Sequence, residues 1–165
     1  MIDLLPTPSA WTCVNDPVMG GQSTSRVTQS ESGVLMFAGT VSLANNGGFA
    51  STRAPLHADL SASVGLALRV HGLPRRYRLT LRTEPGGRTS YRIPFWTTPQ
   101  PATHCLPFER MKPMRRGQPR PDAPPFEAAQ VCEVGFLIGN GQAGNFDLHV
   151  HSMASYQVDA PGYQG

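Results

Sequence analysis

Apolar and polar residues alternate one by one along much of this chain, which is the period of a strand with one buried face. Val34, Met36 and Ala38 interleave with Leu35, Phe37 and Gly39, and Val41 and Leu43 continue the run. Between Gly65 and Val70, Leu66, Leu68 and Val70 point one way while Ala67 and Arg69 point the other. Tyr77, Leu79 and Leu81 alternate with Arg76, Arg78, Thr80 and Arg82, predicting a strand with one wet face. Tyr91 to Trp96 mixes aromatic and β-branched residues, with Pro94 confining part of that strand to an edge or a bulge. His104 to Phe108 predicts a short strand, and the continuous apolar run Val134 to Ile138 a buried one. Phe146, Leu148 and Val150 alternate with Asp147, His149 and His151 in a last strand. Glu109 to Pro125, rich in Pro and Arg, predicts a long loop of the kind that is functional or mobile. No amphipathic helix longer than two turns is visible. Eight or nine strands separated by turn residues predict an all-β antiparallel sandwich, with jelly-roll topology the choice among such folds.

Composition agrees with that reading. The chain has 165 residues, enough for one domain without a disulfide or metal staple. Its 17 glycines and 16 prolines make about one residue in five, and its charged fraction of 15% is well under the usual ~25%. Residues 1–10 are expected to form an N-terminal extension, 11–156 the sandwich and 157–165 a C-terminal tail. Three separated cysteines argue against a disulfide framework, with Cys13 and Cys132 expected as small core side chains. The amino terminus resembles neither a signal nor a transit peptide, and no run approaches the ~18 apolar residues of a membrane span. A soluble, cytoplasmic protein is the expectation.

Net charge is +3, and Lys112 is the only lysine among the basic residues. That balance is too small to argue for nucleic acid. The denser run Arg110, Lys112, Arg115, Arg116 and Arg120 is broken by prolines and reads as a solvated loop.

The candidate binding residues fall in two glycine-rich loops. The first, Asn15 to Ser23, contains Asn15, Asp16, Met19, Gly20, Gly21 and Ser23; the second contains Asn45, Asn46, Gly47, Gly48, Phe49 and Arg53. Paired glycines bring bare N–H groups close to a partner, and Asn and Asp close turns or accept hydrogen bonds. Asp16 and Arg53 could hold a polar ligand, and Trp11, Phe49 or Trp96 could stack on a sugar ring. The competing structural reading pairs Asp16 with Arg53 and uses the Asn side chains to brace turns. His149 and His151, two apart on one strand, share a face and are a candidate metal pair. The apolar residues between them claim the core side, however, and no carboxylate follows shortly after. His57, His71 or His104 could complete such a site only through the fold. No Gly-x-Ser-x-Gly elbow, Walker loop or HExxH motif is present, and nothing places two carboxylates at the ~5–9 Å of a glycosidase pair. No cofactor and no enzyme activity are expected.

Trp11 followed by Asn-Asp-Pro-Val-Met-Gly-Gly-Gln-Ser at 15–23 resembles the opening motif of the CIA30 domain, the complex I intermediate-associated protein 30 family. The resemblance continues through Phe37-Ala-Gly-Thr-Val-Ser-Leu43, Asn45-Asn-Gly-Gly-Phe-Ala-Ser51 and Arg53. Gly65-Leu66, Tyr77-Arg-Leu79, Leu106-Pro-Phe108 and Gly144-Asn-Phe-Asp-Leu148 follow in order, so it covers roughly residues 11 to 153. It implies a galactose-binding-domain-like sandwich that acts without catalysis in assembling respiratory complex I, through protein partners such as its subunits or intermediates. The turn Gly72-Leu-Pro-Arg-Arg76 departs from the family in being basic, and the bare domain looks bacterial. The alternative is a carbohydrate or small-ligand module using the same loops; a metal-dependent enzyme built on His149 and His151 is a third reading.

Overall fold

A computed structural model describes residues 3–15, 23–42, 48–115, 118–139 and 142–157. Two antiparallel sheets face each other. The larger holds β1 (Thr12–Asn15), β4 (Ala50–Pro55), β11 (Glu133–Ile138), β6 (Arg76–Arg82), β7 (Ser90–Trp96), β9 (Lys112–Arg115) and β10 (Gln118–Pro119), in that spatial order. The smaller holds β2 (Thr24–Gln29), β3 (Leu35–Val41), β12 (Gly144–Tyr156), β5 (Gly65–Gly72) and β8 (Ala102–Pro107). The only helical turns among the described residues are 3-10 segments at Pro8–Ala10, Phe108–Arg110 and Ala128–Gln130.

The alternation determines which side of each strand turns inward. Tyr77, Leu79, Leu81, Val134, Phe136 and Ile138 of the larger sheet are at most 1% exposed. They meet Leu35, Phe37, Leu66, Leu68, Val70, Leu148 and Val150 of the smaller sheet, equally buried. Phe37 and Phe146 lock edge to face at 5.0 Å. Each such side chain contributes about 1.5–3 kcal/mol by leaving water. This core leaves the Arg-bearing positions of β6 on the outer face of the larger sheet. Residues 3–10 pack on the same body: Leu4 donates its N–H to the Met153 carbonyl, and Leu4, Leu5 and Ala10 touch the core.

Several expectations are corrected. The stretch 109–125 is not simply a loop, because Lys112–Arg115 and Gln118–Pro119 form a hairpin that extends the larger sheet. β9 pairs with Ser90, Tyr91 and Arg92 alone, so β7 becomes an edge before it reaches Pro94, which has no N–H to offer. β12 runs well past Val150, passing a bulge between Val150 and Ser152. Trp11 is core rather than a sugar platform: it is buried, stacks on Phe136 at 5.5 Å, and donates its indole N–H to the Pro6 carbonyl. Cys13 packs against the core as expected, but Cys132 sits half-buried at its margin with its thiol near the Arg82 carbonyl.

Candidate functional site

The outer face of the larger sheet collects cations from separate parts of the chain. Strand register aligns Thr12, Arg53, Gly135, Thr80, Arg92 and Lys112 in one row across β1, β4, β11, β6, β7 and β9. Arg82 flanks this row beside Glu133, and Arg78 flanks it on the other side beside Leu137 and Pro94. Glu133 is the carboxylate of this face; it meets Arg53 at 3.4 Å and Arg82 at 3.7 Å. Among the described residues no carboxylate lies within ion-pair distance of Arg92, whose Nε donates to Ser90 Oγ at 2.8 Å. Burial, with Arg78 and Arg82 alongside, pushes the Arg92 guanidinium down to about 10. Burial lowers Arg82 as well, an effect opposed by Glu133 and reinforced by Arg53.

Gly135 is the point of closest approach in the middle of the row. A Cβ there would lie 2.6 Å from Thr80 Oγ1 and 2.7 Å from the Thr52 carbonyl, so the strand comes closer than any side chain permits. The same face carries a 170 Å³ depression lined by Arg53, Arg82, Arg92 and Thr80, with Val14, Phe49, Ser51, Thr52 and Leu137 completing its wall. At the end where Arg76 pairs with Trp96, the indole is 62% exposed, and Phe49 is 38% exposed at the start of β4. Planar guanidinium forks around a hollow, with an exposed aromatic beside them, suit carboxylates and hydrogen-bonding polar groups. A larger hollow of about 490 Å³ beside the β6–β7 turn has mixed charge, with Glu84 and Glu127 facing Arg88 and Arg115.

The loop residues expected to form the site divide as follows. Asp16, Met19, Gly20, Gly21, Asn45, Asn46 and Gly47 lie outside the described residues. Asn15 pairs with Ala50 in the strand register. Ser23 is buried, its hydroxyl accepting the Ser42 N–H at 2.9 Å, so it ties the two loop bases together. Gly48 takes a φ of +145°, a backbone state that L side chains rarely adopt. Arg53 and Phe49 join the sheet-face depression, and Arg53 turns to Glu133.

On the opposite sheet, His149 pairs with His71 across β12 and β5, and their rings stack at 4.3 Å. The bulge after Val150 swings His151 over, so its Nε2 lies 2.7 Å from His71 Nδ1. His149 Nε2 also meets Asp147 Oδ2 at 2.9 Å. Both strand histidines point outward as expected, and folding adds His71. Stacked rings and a direct nitrogen–nitrogen hydrogen bond do not converge lone pairs on one point. Among the described residues no group of three His, Cys, Asp or Glu side chains is arranged to hold a metal ion.

Comparison with known proteins decides the family. The model described as complex I intermediate-associated protein 30 matches residues 5–150. This chain belongs to the CIA30 family. No curated protein matches the chain. Among solved structures, the family 11 carbohydrate-binding module of a cellulosomal cellulase of Clostridium thermocellum is similar at 13% identity and a TM-score of 0.70, covering 99% of this chain and 96% of that one. The Clostridium thermocellum family 11 module in complex with a β-1,3-1,4-mixed-linked tetrasaccharide gives 13% identity and a TM-score of 0.66, covering 96% and 95%. An agarase gives 9% identity and a TM-score of 0.63, covering 96% of this chain and 25% of the enzyme. At these identities the likeness establishes the fold: the CIA30 chain is a jelly-roll, galactose-binding-domain-like sandwich. No helix among the described residues is long and apolar enough to cross a membrane.

Proposed function

We propose that this CIA30 chain is a non-enzymatic, cytoplasmic binding domain that assists assembly of a respiratory or other membrane-associated complex through protein–protein contacts. The observation that carries this reading is the outer face of the larger sheet, where Arg53, Arg82 and Arg92 surround a hollow with Phe49 in its wall, and Trp96 stands exposed farther along β7. Arg and Trp are the side chains that most often dominate protein–protein binding energy. Membership of a family described by its association with complex I intermediates supports a protein partner. Subunits or assembly intermediates of complex I are the partners to look for first. The two glycine loops, with Asn15, Asp16, Met19, Gly20, Gly21, Asn45, Asn46, Gly47 and Gly48, are proposed to contribute to the same docking surface.

The test is a mild-detergent pull-down of the tagged chain from its own host, run beside an Arg53→Ala/Trp96→Ala variant shown to be folded. Membrane-complex subunits recovered by the wild type and lost by the variant are the expected result. A preparation that captures none of them rejects the assembly role.

One observation favours a second reading. Trp96 and Phe49 stand exposed at the same end of the sheet, and a neighbour of this fold is complexed with a tetrasaccharide. A carbohydrate module would show calorimetric heat with mixed-linked gluco-oligosaccharides and lose it in Trp96→Ala.

A further inference from the structure

We propose that the cationic row across the larger sheet is a docking track for an extended acidic peptide segment of a partner protein, its carboxylates engaging Arg53, Arg82, Arg92 and Lys112. This inference rests on the binding-domain reading above and names the chemistry of the partner at that site.

Charge complementarity is the first argument. Arg53, Arg92 and Lys112 stand in one cross-strand row, Arg82 flanks it, and Glu133 is shared between Arg53 and Arg82. Among the described residues these four cations therefore have one carboxylate within ion-pair distance. Like charges held together in a half-buried place repel and lose hydration, and incoming carboxylates relieve both effects. Burial and the two neighbouring arginines disfavour the charged form of Arg92, which stays protonated at neutral pH and, among the described residues, has no carboxylate within ion-pair distance.

Shape is the second argument. From β4 to β9 the row crosses four inter-strand steps, about 19 Å at the usual strand spacing. An extended chain covers that distance in about six residues, with alternate side chains on one face about 7 Å apart. The hollow lined by Arg53, Arg82 and Arg92 would receive one acidic side chain, with Thr80 as a hydrogen-bonding neighbour. Lys112, exposed at the far end, would meet the last. The hollow alone, at 170 Å³, matches a carboxylate rather than a folded ligand, whereas the row extends beyond it on both sides. A sugar chain would need flat apolar platforms along this path, but among the described residues Phe49 is the one aromatic lining the hollow, and Trp96, four residues from Arg92 on β7, stands off the row.

The experiment is fluorescence anisotropy with a labelled peptide whose core alternates Glu and Ala over six residues. Its Gln counterpart and oligogalacturonate serve as competitors. The acidic peptide is expected to bind saturably at 50 mM salt and to weaken about tenfold or more at 300 mM. Arg53→Gln and Arg92→Gln should each weaken it by about tenfold, the usual scale for losing one charge-assisted pair, with melting midpoints at or above wild type. The Gln peptide should not compete. Absence of saturable binding, or equal binding by wild type and both variants, overturns the proposal. Oligogalacturonate displacing the peptide at lower concentration than the Glu peptide itself also overturns it, in favour of an acidic polysaccharide.

The host pull-down with Arg53→Gln/Arg92→Gln separates this idea from the function it rests on. Subunits captured equally by wild type and variant keep the binding domain and remove the track. Peptide binding that depends on both arginines, without any captured subunit, keeps the track and rejects the assembly role.

Discussion

Arg92→Met is expected to make the protein more stable. The guanidinium sits among Arg78 and Arg82 and, among the described residues, has no carboxylate within ion-pair distance; burial and those two arginines push it down to about 10, a penalty on its charged form. At full effect that lowering corresponds to about 3 kcal/mol at neutral pH, and water still reaching the side chain reduces it to about 1–2 kcal/mol. The sign follows from linkage: a cation whose folded pKa lies below its unfolded one opposes folding wherever it stays protonated, which includes pH 7. Methionine keeps the unbranched apolar stem and removes the charge. Against the gain stands the hydrogen bond from Arg92 Nε to the buried Ser90 hydroxyl, about 0.5–1.5 kcal/mol. The net expectation is about 0.5 kcal/mol of added stability, a rise of about 1–2 °C in melting temperature for a domain of this size. Urea unfolding at pH 7, with the slope unchanged, measures it. Arg92→Met/Ser90→Ala isolates the electrostatic part by removing the stranded hydroxyl as well. If both variants are less stable than wild type by about 1 kcal/mol or more, the charge is already compensated and the argument from repulsion is wrong.

Other consequences can be tested together. Gly135→Ala should lose about 1–3 kcal/mol in chemical denaturation, because its Cβ would lie 2.7 Å from the Thr52 backbone carbonyl and 2.6 Å from the short Thr80 hydroxyl, neither of which can swing away as the end of a long side chain could. Wild-type stability in that variant would mean the sheet opens there. His71 is lowered by burial and then by His149 and His151, with Asp147 opposing, and His151 by burial and then by Arg69 and His149. The unfolded chain therefore takes up protons first as pH falls below about 6.5, and stability should drop from there through the lower folded pKa values. Urea midpoints at pH 7.5 and 5.5 should differ in that direction, and His71→Asn should flatten the difference; an unchanged difference refutes the coupling. Trp96→Ala, at a site 62% exposed, should stay within about 0.5 kcal/mol of wild type yet lose captured partners, an outcome read from melting and pull-down on one preparation.

The core strands were legible because strict alternation and burial are the same fact stated twice. Tyr77, Leu79 and Leu81, or Leu66, Leu68 and Val70, have only one face that can turn inward. β1, β2 and β4 carry Ser, Thr, Arg and Asn at positions where alternation carries little contrast, so their pairing comes from neighbours far along the chain. The hairpin of β9 and β10 was hidden because proline and arginine suggest a loop, although an edge hairpin tolerates both. The arginines of β6 were visible as one wet face. What alternation could not supply was the strand order that sets Gly135, from more than fifty residues away, between Arg53 and Thr80. His149 and His151 showed their common side from their spacing, while His71 joined them through β5 pairing and a bulge that no local pattern marks. Trp11 misled for the opposite reason: an aromatic beside a polar loop is equally consistent with a platform and with core, and packing on Phe136 decides it.

The smaller and larger sheets share one core, yet their outer faces differ in a way that stability alone does not explain. On the smaller sheet the histidines have partners: His71 meets His151, and His149 meets Asp147. On the larger sheet Arg53 and Arg82 divide one glutamate, while Arg92, deeper and beside them, donates its Nε–H to the neutral Ser90 hydroxyl. A leucine or threonine at position 92 would fit the strand better and avoid the repulsion. Glycine at 135 likewise weakens a central strand that valine would strengthen, unless its neighbours need the space. The glycine is accounted for by the close approach of Thr80 and the Thr52 carbonyl, whereas Arg92 lines the hollow and makes sense there if anionic groups enter it. A charge that costs stability in the free domain and is neutralised on docking places part of the binding energy in the unbound state. This coupling predicts that Arg92→Met gains stability and loses its partner together, whereas a purely structural arginine would lose stability and keep the partner.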